Sequence, residues 1–227
     1  MMNTVFTASS WPISYQANPE YLVIQSAQPL QVLTSAIIGK EQATTIVNRH
    51  VPKSYCPVSP RQETQTWLKE NGFSLTDTVT LLTAAYIERG TFQTRENEFF
   101  RLAVWTTAGF GNATRAGKKI ATHTWNPLPG TINIIIVIDG SLTSYAMVNA
   151  IITATEAKSA ALQDLGVKDQ DGHLATGTNT DAIVIASTQQ SIGRYLHEYT
   201  GILSPLGSAI GELVYQTVYQ IGLQELF

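Results

Sequence analysis

The sequence predicts an α/β protein: a single layered domain, residues 1–227, with a largely buried mixed β-sheet flanked by helices. Three observations lead there. Ile132 to Ile138 is apolar at nearly every position, as in a strand covered on both faces. Ser144 to Leu165 is a long alanine-rich helical stretch. Ala182 to Ser187 is a second apolar run, placed with the first at the centre of the sheet.

In chain order, Tyr21 to Ser26 and Val32 to Ile38 read as short strands separated by a turn at Gln28-Pro29, and Thr44 to Val51 reads as a third. Pro52 to Arg61 carries three prolines and reads as a loop. Gln62 to Glu70 has helical composition, and Asn71-Gly72 stops it. Val79 to Ile87 and Phe99 to Thr107 read as a strand pair joined by the polar segment Glu88 to Asn97. Ser141 or Thr143 can cap the central helix, and Gly166 stands where a C′ residue belongs. Tyr145, Val148, Ile151, Ile152 and Leu162 supply its apolar packing, and its alanines allow close approach to a sheet. A last helix spans about Ser208 to Leu226, with Ile210, Leu213, Val214, Val218 and Ile221 at helical spacing.

Composition bounds the partners. Charged residues make up 14% of the chain and the formal net charge is −3, which argues against nucleic acid and against an anionic membrane surface. No apolar run approaches the roughly 20 residues of a membrane span. Cys56 is the single cysteine, so an intrachain disulfide is impossible and a reducing, cytoplasmic setting is expected. Met1 to Ser14 lacks the cationic start and apolar run of a signal peptide.

Three Gly/Thr/Asn-rich segments adjoin the predicted strands: Thr106 to Gly117, Gly130 to Asn133, and Thr176 to Asp181. Small residues let a ligand approach the backbone, and such loops present main-chain N–H groups. Gly109-Phe110-Gly111 begins like a dinucleotide fingerprint, but Thr114 stands where glycine is needed; the phosphate-loop spacing also fails. The loop reads instead as one whose N–H groups, with Asn112, Thr114 and Arg115, grip polar substituents or an oxyanion. On the central helix, Asn149, Thr153 and Glu156 fall at i, i+4 and i+7 and share one face. That face either lines a site, with Glu156 as general base, or is a solvated stripe next to Lys158 and Ser159. Asp139 and Asp181 lie at strand ends, where each either joins a shared pocket or organises its turn. His50, His123, His173 and His197 are scattered, which gives metal catalysis little support. Cys56 has no nearby histidine, and no Gly-x-Ser-x-Gly elbow is present.

The stretches TTAGFGNATRAG (106–117), GTINIIIVIDGSLTSYAMVNAIITATEAKSAAL (130–162) and ATGTNTDAIVIAS (175–187) resemble the adenosylcobinamide amidohydrolase family. The resemblance implies hydrolysis of the aminopropanol amide of a corrinoid to give adenosylcobyric acid in cobalamin salvage. No cofactor of the protein's own is implied, since the cobalt enters with the substrate. A wide, flat, carboxamide-fringed ligand calls for neutral hydrogen-bonding groups, which suits Thr107, Gly109, Gly111, Asn112, Asn133, Asn149, Thr153, Thr178 and Asn179. Water activated by Glu156, or failing that by Asp139 or Asp181, would attack the amide; a threonine nucleophile such as Thr107 or Thr178 is the rival. A carrier or sensor that binds the corrinoid uncleaved, or an amide hydrolase of another substrate, would use the same loops. Gly130 to Asp139 also looks faintly like part of a self-processing aminopeptidase family, though that family's processing site is not found.

Overall fold

The computed structural model describes residues 11–119 and 131–226. Gly130, His123 and the stretch Met1 to Ser10 lie outside the described residues. The chain forms β1 (Ile13–Ala17), β2 (Tyr21–Thr34), β3 (Gln42–His50), α1 (Pro60–Glu70) and β4 (Thr78–Thr83). There follow β5 (Thr91–Glu96), β6 (Arg101–Ala108), β7 (Ala113–Thr114), β8 (Ile132–Asp139) and β9 (Ser141–Leu142). Then come α2 (Ser144–Asp164), β10 (Gly177–Thr178), β11 (Ala182–Ser187), β12 (Leu196–His197) and α3 (Pro205–Leu226).

The main sheet has the order β4-β3-β2-β11-β8-β6-β5, with β1 paired to β2. It is mixed: β3 with β4 and β8 with β11 are parallel, and the other pairs are antiparallel. One long strand folds it into two layers. Tyr21–Gln25 of β2 pairs with β1 and β3, the register shifts between Gln25 and Leu30, and Gln31–Thr34 pairs with β11.

Each face then finds a partner. Val104, Ile134, Ile136, Ile138, Ile183 and Ile185 pack beneath α2 and α3. From the opposite face, Ala103, Trp105, Ile135, Val137 and Val184 meet Ile24, Ile46, Val79 and Leu81 of the other half-sheet. A third cluster seats α1 through Leu68 and Trp67 on Val23 and Val47. The layers run helices, sheet, sheet, helix. This explains the unbroken apolar reading of β8: all eight of its residues are buried, with alternate side chains in two different cores. Burying one such side chain stabilises the fold by about 1.5–3 kcal/mol.

Several local expectations need correction. Gln28-Pro29 is a bulge inside one continuous strand, a position that tolerates proline's missing N–H. The segment Glu88 to Asn97 is not a simple connection, because it contains the edge strand β5, and β5 rather than β4 pairs with β6. Its outer end, Thr94–Glu96, is exposed and polar, so it gave no strand signal. Helix α1 begins two residues early, with Pro60 in its first turn. Thr143, not Ser141, caps α2 by accepting from the Ala146 N–H at 3.1 Å, and Gly166 takes φ +69° just past its end. Among the described residues no helix is long and apolar enough to cross a membrane.

Candidate active site

Strand direction gathers the three small-residue loops. β6 runs antiparallel to β8, and β8 parallel to β11, so the end of β6 and the starts of β8 and β11 share one end of the sheet. Hydrogen bonds then join the loops. The Gly109 N–H donates to the Thr131 carbonyl at 3.0 Å. The Thr131 hydroxyl donates to the Thr180 carbonyl at 2.8 Å. The Asn112 side-chain amide donates to Asn179 Oδ1 and, at 3.4 Å, to Thr180 Oγ1. Thr114 pairs with Gly177, and Ala113 with Thr178, as the small ladder β7–β10.

Asp181 ties this end together. Its carboxylate accepts from the Ile132 N–H at 3.1 Å, from the Thr178 N–H and hydroxyl, and from the Lys158 ammonium. Lys158 and Asp181 keep only 8% and 13% of their side-chain surface exposed, so this is a buried ion pair between α2 and the third loop. Gly177 lies against it, and a Cβ there would overlap both the carboxylate and the ammonium. The sequence places Lys158 on a solvated face; burial and this pairing correct that.

A cleft of about 420 Å³ opens beside the junction. Thr131, Asn179, Thr180 and Asp181 form one wall, and Leu81–Ala84 with Ser35 and Ile37 lie along it. The Pro-rich loop supplies the other wall through Lys53, Tyr55 and Cys56. Tyr55 is fixed by its hydroxyl, which donates to Glu63 at 2.6 Å, while Arg49 holds Glu63 by two bonds of 2.8 Å. Burial and the Glu63 acceptor push the Tyr55 phenol up to about 12. The Arg49 hydrogen bonds hold the Glu63 carboxyl below its usual range. Tyr55 is therefore a neutral wall.

Behind Thr131 lies a buried polar chain that only partly shows in the sequence. Asn133 Nδ2 donates to Asn48 Oδ1 at 2.8 Å and to the Leu82 carbonyl at 2.9 Å, and Asn48 Nδ2 donates to Thr107 Oγ1 at 2.9 Å. These bonds clamp β3 and β4 over the start of β8. Asn48, Thr131, Lys158 and Tyr55 are the residues that sequence reasoning missed. Only Thr131 carried a signal, as the second residue of Gly130-Thr131-Ile132-Asn133.

The other candidates lie apart from the cleft. Asp139 ends β8, six residues or ~20 Å of strand from Asn133. It pairs with Arg101 at 3.0 Å and accepts from Thr188 at 2.9 Å. The two aspartates therefore cannot share a pocket. Thr153 is buried and donates to the Thr200 carbonyl at 2.9 Å, facing the α3 side. Asn149 is half-buried; Glu156 is exposed and makes no hydrogen bond or ion pair among the described residues. Arg115 turns to the Leu174 carbonyl at 2.8 Å, and Gly111 is exposed at the loop tip. Among the described residues, Asp169, Asp171 and His173 come close enough to hold a cation, but the Lys118 ammonium already sits on both carboxylates.

Residues 7–225 match the model of the adenosylcobinamide amidohydrolase family. A Methanosarcina mazei protein named adenosylcobinamide amidohydrolase is 34% identical over 148 residues, covering 65% of this chain and 64% of its own. An uncharacterized Methanocaldococcus jannaschii protein is 31% identical over 171 residues, covering 67% of this chain and 66% of its own. The chain thus spans about two thirds of the length of the curated relatives it matches. A crystal structure of a Pyrococcus horikoshii protein superposes with TM-score 0.43 at 11% identity, over 99% of this chain and 82% of that one.

Proposed function

The chain belongs to the adenosylcobinamide amidohydrolase family, and on that premise we propose that it cleaves the aminopropanol amide of adenosylcobinamide to give adenosylcobyric acid. Water adds across the amide: its oxygen bonds to the acyl carbon, the C–N bond breaks, and the released aminopropanol nitrogen takes up the proton. The corrinoid brings its own cobalt as part of the substrate, and the reading assigns the protein no cofactor. The cytoplasm is the compartment that fits a chain with one free, exposed thiol.

One observation carries the reading. The second and third loops, tied to the first by hydrogen bonds, border a partly apolar cleft. Its polar lining includes the Asn179 amide, the Thr83, Thr131 and Thr180 hydroxyls, the protonated Tyr55 phenol and Lys53. Apolar walls with a few neutral hydrogen-bonding groups suit a ring fringed with carboxamides. Of the three carboxylates considered, only Asp181 borders that cleft, and its oxygens already accept from Lys158, Thr178 and Ile132. Asp181 therefore serves as the anchor of the loops. Thr107 and Thr178, the two threonines the sequence offers, do not line this cleft, whereas Thr131 does, with its hydroxyl donating to the Thr180 carbonyl at 2.8 Å and its oxygen lone pairs accepting no bond among the described residues. The reacting oxygen belongs at Thr131, as its hydroxyl or as a water held by it, and loop N–H groups stabilise the tetrahedral oxyanion.

Incubation with adenosylcobinamide followed by chromatography tests this. Adenosylcobyric acid and free aminopropanol are expected; a corrinoid recovered with its tail attached would make the protein a carrier. Mass spectrometry of quenched turnover separates the two attack routes, since only a threonine nucleophile leaves a corrinoid adduct on the peptide containing Thr131.

A further inference from the structure

Three apolar residues that the sequence assigns to packing, Tyr145, Val148 and Ile152, instead face out. They are 77%, 50% and 48% exposed and lie one turn apart along a single face of α2. Beside them stand Tyr199, Ile202 and Leu203, at 61%, 56% and 96% exposure. The loop carrying these three is fastened to α2 by side-chain bonds. Thr143 Oγ1 donates to the Glu198 carbonyl at 3.2 Å, Thr153 Oγ1 donates to the Thr200 carbonyl, and Thr200 Oγ1 donates to the Ala146 carbonyl. The six exposed side chains thus stand on two segments that these bonds hold against each other. Single exposed apolar residues are ordinary, but a fastened patch of this size is not.

We infer that this surface joins two copies of the chain. Its size fits. Large apolar side chains carry roughly 150–250 Å² each, so these six, about two-thirds exposed on average, remove on the order of 700 Å² per copy from water. A standard stable interface takes roughly 800 Å² per partner. Its polar pattern also fits a two-fold contact. Along this face of α2, Tyr145 and Glu156 lie at equal distances from the midpoint between Val148 and Thr153. Two α2 helices packed antiparallel about that midpoint place the phenol of one copy opposite the carboxylate of the other, with Asn149 near the axis. The Asn149–Glu156 stripe thus gains a role away from the cleft. Glu156 is the one charged side chain on the stripe, so nothing there selects a partner of opposite charge.

Sedimentation velocity of the full chain across micromolar concentrations tests the inference. The expected mass is twice 24.8 kDa. Ile152→Glu and Leu203→Glu, each checked for native circular dichroism, are expected to weaken association at least ~100-fold and sediment as monomers. A wild-type protein that stays monomeric overturns the inference. So does a dimer that persists in both variants, which would locate the contact elsewhere. A monomer that floats with phosphatidylcholine vesicles overturns it as well, and would assign the patch to lipid.

Discussion

The two ends of the central strands begin from the same ingredients and differ in what surrounds them. At one end Asp181 has Lys158 as its cation and Thr178 as its hydroxyl donor; at the other Asp139 has Arg101 and Thr188. Around Asp139 the polar groups close on one another. Ser187 Oγ donates to the Gly140 carbonyl at 2.7 Å, the Gly140 N–H to Thr188 Oγ1 at 3.2 Å, and the Leu142 N–H to Gln189 Oε1 at 3.0 Å. Around Asp181 the loops hold Thr131, Asn179 and Thr180 against an open cleft. A carboxylate at a strand end is therefore a poor marker of a site by itself. The marker is a set of small-residue loops that keep amides and hydroxyls facing open space.

The sharpest way to break this comparison is to neutralise each aspartate. Asp181→Asn leaves Lys158 buried without its counter-charge, and breaking such a pair costs about 3–5 kcal/mol. The loops lose their anchor, so kcat/KM for the corrinoid amide should fall at least ~100-fold, measured below the lowered melting temperature. Asp139→Asn removes a charge-assisted bond worth roughly 1.5–3 kcal/mol. It should lower the melting temperature while leaving kcat/KM within about threefold. Equal activity losses in the two variants would erase the distinction between the ends.

A smaller effect sharpens the reading of the cleft. Asn112 is buried, and its amide holds both Asn179 and Thr180. Asn112→Ala frees that wall without touching Thr131. KM should rise about tenfold with kcat little changed, the pattern of lost uniform substrate binding. A fall in kcat alone would move Asn112 into the chemical step.

How much of this was legible in the sequence follows from which forces are local. The apolar run of β8, the Thr143 cap and the Gly166 terminator are written in neighbouring residues, and all three stand in the structure. The glycine-bearing loops were legible for the same reason. Long-range pairing was not. Nothing near Glu88 to Asn97 reveals that β5 pairs with β6, because an edge strand with one covered face needs little apolar content. Lys158 looked solvated because its counter-charge stands 23 residues away. Asn48 looked ordinary because it meets Asn133 only once β2 bends and folds one half of the sheet over the other. Tyr145, Val148 and Ile152 looked like packing because helical spacing does not say which face of a helix is covered.

The least effect concerns pH, and it belongs to the closed end. His197 is buried 3% exposed, its ring edge-on to Phe100 and Tyr195, and its Nε2–H donates to the Phe99 carbonyl at 3.2 Å. Burial holds this imidazole below the ordinary 6.5, so the folded protein keeps it neutral where the unfolded chain would charge it. Between the two pKa values the unfolded state binds the extra proton. Stability from His197 is therefore complete above about pH 6.5 and lost as the pH falls below that, by at most ~1.4 kcal/mol per pH unit. Glu63 and Asp77, whose carboxyls are held below their usual range by hydrogen bonds, act only at lower pH and do not obscure this window. Melting temperatures should fall from pH 8 to pH 5.5 in the wild type, and His197→Gln, which keeps an N–H for Phe99, should flatten that slope. An unchanged slope in the variant would place the titrating group elsewhere and remove His197 from the account of the closed end.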